Sequence, residues 1–190
     1  MDSVTSASDD AGLVTASPAA PDAGISEIGE LIVAEHARIL RLFGALFDLA
    51  RRADPAVTRL ALAQIWSRLA DLLVAHTRAE EEVCFPPMHR AGARALAVTQ
   101  AAAADHNDIR EAVAQARLLE VGSARWWQVI TAARTACARH FASEERDLLA
   151  SLCGCLPPGT AKALVRRWAG VSRAASPATG TGPSPAGSPR

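Results

Sequence analysis

The chain of 190 residues contains no tyrosine, which excludes any mechanism that stores a radical on a tyrosine of this chain. It carries no excess of charge either. Its 20 basic and 20 acidic side chains cancel, so no global field draws it toward nucleic acid or an anionic membrane. No uninterrupted apolar stretch is long enough to span a bilayer, and the opening MDSVTSASDDAGLVTASPAAPDAG lacks the basic start and apolar run of a secretory signal. The expectation is a cytoplasmic protein with no nucleic-acid or membrane partner. Also missing are the apolar-polar alternation of a half-buried strand and any hairpin signal. Cysteine is sparse: Cys84, Cys137, Cys153 and Cys155 are expected to be free thiols in a reducing cytosol. Cys153-Gly154-Cys155 brings too few ligands for a zinc site of its own.

What is present is apolar material, 49 % of the chain, ample for one buried core. It recurs at spacings of three and four, the helical period, in four long segments at about 26–52, 56–85, 92–119 and 123–152. A shorter amphipathic piece follows at about 159–170. The punctuation is local. Ser26 can cap the first helix, Asp54-Pro55 suits a turn into the second, Pro86-Pro87 suits a stop after it, and Gly122-Ser123 separates the third from the fourth. Short connections force neighbouring helices antiparallel. The fold class expected is all-α: an up-down four-helix bundle with a short C-terminal helix, occupying residues 25–172. Residues 1–24 and 173–190, rich in Ala, Pro, Gly, Ser and Thr, are expected to be disordered tails.

Each long helix presents one histidine on its inward stripe. The first stripe runs Ile32, His36, Ile39, Phe43, Leu46, and the second Leu62, Ile65, Leu69, Leu72, His76, Glu80, Val83. The third runs Leu96, Thr99, Ala103, His106, Arg110, Val113, and the fourth Trp126, Ile130, Ala133, Cys137, His140, Glu144. Measured from the intervening turns, the histidines agree in height to within about one helical turn, roughly 5 Å. Four imidazoles are therefore expected in one layer. Glu80 follows His76 and Glu144 follows His140 at i,i+4, which stacks each pair on one face. Glu81, Glu82 and Glu145 rotate away and are expected to solvate the outer surface, and His89 reads as an exposed loop residue.

A lone inward histidine is more often a satisfied core residue than a ligand, and a lone His-x3-Glu is usually a surface pair. Four histidines at matched heights, two with the same i+4 glutamate, are hard to obtain by chance. Buried ionised carboxylates are costly, and Arg110 is the only obvious cation on these stripes. The set His36, His76, Glu80, His106, His140 and Glu144 makes sense around a multiply charged metal. Imidazole and carboxylate without thiolate suit iron, manganese or zinc. Six ligands exceed the need of one tetrahedral zinc, whereas two metals bridged by two carboxylates use all six and keep open positions, so two irons are favoured. A bis-histidine haem would leave the paired glutamates unexplained. Ferritin-like sites use Glu-x-x-His, and no glutamate here is followed by histidine three residues later.

The order His36, His76-x3-Glu80, His106, His140-x3-Glu144, with AEEEVCFPP after the second histidine and SEERDLL after the fourth, resembles the haemerythrin-like HHE cation-binding family over about residues 28–152. The resemblance implies a four-helix bundle holding a non-haem di-iron centre. In it the histidines are terminal ligands, the two glutamates are bridges, and an oxo or hydroxo group lies between the irons. Oxygen-carrying haemerythrins have a further histidine where this chain has Arg110, and their last carboxylate sits at the position of Glu145. Simple oxygen carriage is thereby disfavoured, and one iron is left with more exchangeable positions or with an extra carboxylate such as Glu81. The function implied is binding of O2, peroxide or nitric oxide, with peroxide decomposition or nitric oxide detoxification as the activity. The alternatives are a non-enzymatic iron or oxygen sensor, or a bare helical interaction module.

Overall fold

The computed structural model describes residues 23–51, 55–156 and 159–175. Most of both expected tails lies outside these ranges, as does Asp54. Among the described residues there is no strand. The elements are α1 (Ala23–Ala50), α2 (Pro55–Ala79), a π-helical turn (Glu80–Cys84), α3 (Phe85–His89), α4 (Ala93–Leu118), α5 (Ala124–Ser143), a second π turn (Glu144–Leu148), α6 (Leu149–Cys155) and α7 (Ala161–Ala175). The π turns join α2 to α3 and α5 to α6 without a break. Four long rods result, closed as an all-α up-down bundle, with α7 packed against α1 and α2. No helix among the described residues is long and apolar enough to cross a membrane.

The helix boundaries follow local chemistry with two exceptions. Pro55 occupies the first position of α2, where its missing N–H is not needed. Ser123 caps α5, its Oγ accepting from the Trp126 N–H at 3.2 Å. The reversals into α4 and α5 place Gly92 and Gly122 at φ of 125° and 85°, a region that glycine enters without a Cβ penalty. Ser26, in contrast, does not cap the first helix: α1 extends back to Ala23, the best helix former of that stretch, and Ser26 lies within it. Nor does Pro86-Pro87 stop the second rod, which runs on to His89. The Phe85 N–H reaches back across the π turn to the Glu80 carbonyl, and the prolines fall in the first turn of α3, where backbone donors are spare. The carbonyl of Glu82, which a proline cannot serve, accepts instead from the Arg167 guanidinium of α7 at 2.9 Å.

The core has two apolar clusters with a polar layer between them. One gathers Phe43, Leu46, Leu69, Leu73, Trp126 and Ile130, and the other Ile28, Ile32, Val83, Met88, Leu152 and Trp168, all buried. Each such large side chain contributes roughly 1.5–3 kcal/mol by burial. The inward stripes need adjustment at several points. Leu96 is 37 % exposed and Ala95 is buried in its place, while Ile65 and Leu72 are only half-buried beside the buried Trp66 and Leu73. Cys84 and Cys137 are free and buried, and burial pushes the Cys137 thiol up to about 12. The side chains of Cys153 and Cys155 lie outside the described set.

Candidate metal centre

Between the two apolar clusters the four rods bring together His36, His76, Glu80, His106, His140 and Glu144, none more than 2 % exposed. Their ligand atoms form two overlapping groups: His36 and His76 with both glutamates, and His106 and His140 with the same two glutamates. Within each group the atoms lie within 4.8 Å of one another. Glu80 turns Oε1 toward His76 Nε2 at 3.4 Å and His36 Nε2 at 3.9 Å, and Oε2 toward His106 Nε2 at 3.1 Å. Glu144 Oε2 lies 3.4 Å from His36 Nε2 and 3.3 Å from His140 Nε2, while its Oε1 lies 3.7 Å from His106 Nε2. Donors on one metal with bonds of about 2.1 Å stand roughly 3 to 4.2 Å apart. The spacing observed is that of a shared coordination sphere.

Both π turns begin at these glutamates. A π turn inserts one residue into the helical repeat and is frequent at functional sites. Here both turns start at the inward Glu80 and Glu144, and the Glu81 and Glu145 that follow lie at the seams between helices. The two halves are built alike. His36 and His76 meet edge to face with ring centroids 4.9 Å apart, and His106 and His140 do the same at 4.8 Å. His36 stacks on Phe141 at 4.0 Å and His106 on Phe85 at 5.7 Å.

The decisive feature is which atoms have partners. Nε2 of all four histidines and both oxygens of Glu80 and Glu144 are buried with no hydrogen-bond partner. Such atoms cost about 1–3 kcal/mol each if left so. Nδ1 of every one of these histidines, by contrast, is held by a carboxylate. His36 donates to Glu145, His76 to Glu35 and His106 to Glu81, each at 2.9 Å, and His140 donates to Asp105 at 3.3 Å. A carboxylate only accepts, so a proton sits on Nδ1 and Nε2 is the ring atom left to face the cluster. This is how metal-binding histidines are held elsewhere. The four acids form a closed circuit: α1 supplies the acid for the histidine of α2, the first π turn for that of α4, α4 for that of α5, and the second π turn for that of α1.

Without a metal, protons are the only cations at hand. Burial disfavours charge on His36, but the carboxylates of Glu144, Glu80 and Glu145 outweigh it and raise the group to about 10. His106 is opposed by burial in the same way and lifted to about 10 by Glu144 and Glu80. At His140 burial prevails and the pKa falls. Burial also opposes ionisation of Glu80, yet His76, His106 and His36 hold it well below the carboxylate range. The donor set therefore fits a multiply charged metal on three counts: orphaned inward atoms, anchored outward nitrogens, and buried anions that only imidazole protonation offsets when no metal is bound.

Glu81 and Glu145 do not simply solvate the outer face as the sequence suggests. Each anchors a histidine from outside the cluster, and Glu81 also pairs with Arg110 at 2.9 Å. Arg110 is half-buried and bonds Thr77, Glu81 and Asn107 rather than entering the layer. Glu82 is exposed and pairs with Arg78. His89 is exposed, at the end of a helix rather than in a loop. Sequence reasoning missed Glu35 and Asp105 altogether, although each directly precedes one of the histidines. The chain matches the family model described as Hemerythrin HHE cation binding domain over residues 27–152. No curated protein and no solved structure matches it.

Proposed function

The chain belongs to the Hemerythrin HHE cation binding domain family, and from that membership we propose that its buried cluster holds two iron ions and binds O2, peroxide or nitric oxide. His36 and His76 would hold one ion and His106 and His140 the other, with Glu80 and Glu144 common to both groups. The observation that carries this reading is the set of orphaned Nε2 and carboxylate atoms turned into one water-poor space. Bound iron supplies redox and Lewis-acid chemistry. The chain's own part is to fix the donors, exclude water and leave room at the metals. Phe141 and Phe85 wall the imidazoles, and the acids on Nδ1 hold the ring orientations. Each ion has two imidazoles and two shared carboxylates, which leaves positions for an external ligand. Peroxide decomposition or nitric oxide detoxification is the activity that such a centre supports.

Protein purified from iron-supplemented cells is expected to carry two irons per chain by elemental analysis and to consume peroxide or nitric oxide. A colourless, metal-free protein that consumes neither overturns the reading.

A sensory reading is favoured by one observation. Trp168 of α7, beyond the matched residues, donates from Nε1 to Glu35 Oε1 at 3.2 Å, and the other oxygen of Glu35 holds His76. A last helix is thus wired to one ligand through one carboxylate. Glu35→Gln is expected to weaken metal retention about 10–100-fold with helicity intact, measured by competition with a chelator. If metal occupancy also governs the docking of α7, amide exchange in Ala161–Ala175 will be faster in stripped than in loaded protein. Equal exchange in both states ends the sensory reading.

A further inference from the structure

A cavity of about 620 Å³ opens between α4 and the rod formed by α5 and α6. Its deep wall consists of the buried Ala95, Ala102 and Leu148 with His140 and Glu144 of the cluster, and its rim includes the exposed Ala91, Arg94, Arg146 and Gly154. His140 and Glu144 are 1 % and 2 % exposed and keep buried polar atoms without partners. On the far side the cluster is closed: His36 lies flat on Phe141, and His76 meets the edge of Trp168 at 5.6 Å. Neither His36 nor His76 lines the cavity. Approach from this opening leads to the His140 edge.

The size is wrong for a diatomic alone. A water-sized ligand needs about 30 Å³, whereas sites for small organic molecules occupy about 300–1,000 Å³. The lining sets the acids Asp105, Glu144 and Asp147 against Arg94 and Arg146, with Glu144 at the inner end beside His140, so the charge left unpaired at the rim decides the guest. Asp105 is engaged by His140 at 3.3 Å and Arg139 at 3.6 Å, and Arg146 is tied to Asp147 at 2.8 Å. Arg94 has no hydrogen-bond or ion-pair partner among the described residues. It stands in the first turn of α4, whose N-cap, Gly92, offers no side-chain cap, so spare backbone donors and the positive end of the helix share its rim. Between that rim and His140 the wall is Ala95, Val98, Ala102 and Leu148.

We propose that this cavity binds an amphipathic organic carboxylate, its head held at the rim by Arg94 and its apolar body laid along α4 toward His140 and Glu144. That such a guest meets a metal at its inner end rests on the function proposed above; its capture at the rim does not. The probe is octanoate, titrated calorimetrically into the full chain, with metal content measured on the same samples. Wild type is expected to bind octanoate and to bind neutral octanol about tenfold more weakly, a difference of about 1.4 kcal/mol. Arg94→Ala is expected to lose about tenfold for octanoate. Ala101→Trp, at an exposed position of the cavity wall, is expected to abolish binding with its helical circular dichroism unchanged. No binding to wild type, or equal binding by both variants, overturns the proposal. Iron-loaded protein that ignores octanoate refutes the cavity and spares the metal. Metal-free protein that binds it through Arg94 refutes the metal and spares the cavity.

Discussion

If the cluster holds two ions as proposed, glutamine in place of Glu80 is expected to release both at once. The Glu80 oxygens face different histidines, Oε1 toward His76 and His36 and Oε2 toward His106, so one side chain serves both halves of the centre. Glutamine keeps the volume but surrenders the charge and offers one oxygen in place of two. Each ion loses part of its donor set and much of its charge compensation. His36→Ala, which touches one half, is expected to retain metal in the half held by His106 and His140. Elemental analysis of both variants, with circular dichroism as the check on folding, decides the matter. A Glu80→Gln protein with its full complement of iron would show that Glu80 is not a bridge.

Stripping the metal from wild type is expected to lower the melting temperature by roughly 8–16 °C. A ligand at about a thousand times its dissociation constant stabilises by about 4 kcal/mol, and each kcal/mol moves the midpoint of a domain of this size by roughly 2–4 °C. The gap should depend on pH. His36 and His106 are raised from 6.5 to about 10 in the metal-free fold, so the stability that their protonation confers is complete below 6.5 and is lost as pH rises through about 10. Metal requires these imidazoles neutral and binds better as pH rises. The two statements describe one proton competition, and it widens the difference between loaded and stripped protein from pH 6 to pH 9. Calorimetric scans of the two forms at a series of pH values measure it. A gap that narrows with rising pH would contradict the electrostatics of the layer.

The helical period and the i,i+4 glutamates made the bundle and the six-residue layer legible, because inward placement follows directly from 3.6 residues per turn. The π turns were not legible: a run such as Glu80-Glu81-Glu82 carries no local mark of an inserted residue. The anchoring acids were missed for a related reason. A residue about 100° from the inward stripe reads as facing solvent, but in a bundle that direction is the seam between neighbours, and a glutamate there reaches the next helix. The pattern was nonetheless visible. Glu35 and Asp105 precede His36 and His106, and Glu81 and Glu145 follow Glu80 and Glu144. Pro86-Pro87 misleads because the Glu82 carbonyl that it leaves without a helical donor is satisfied by Arg167, 85 positions beyond Glu82 in sequence, which no local pattern could reveal.

Every histidine depends on an acid from the helix beside it, and the half built on His36 and His76 draws its donors and anchors from Glu35 to Glu145, so no fragment lacking the first or the last rod holds that half complete. A product terminated before residue 140 would lack His140 and Glu144, and the loss of Glu145 would also leave the imidazole of His36 without its anchor at the opposite end of the polypeptide. The closed circuit thus leaves the His36 half of the cluster unfinished until the last rod has joined the first.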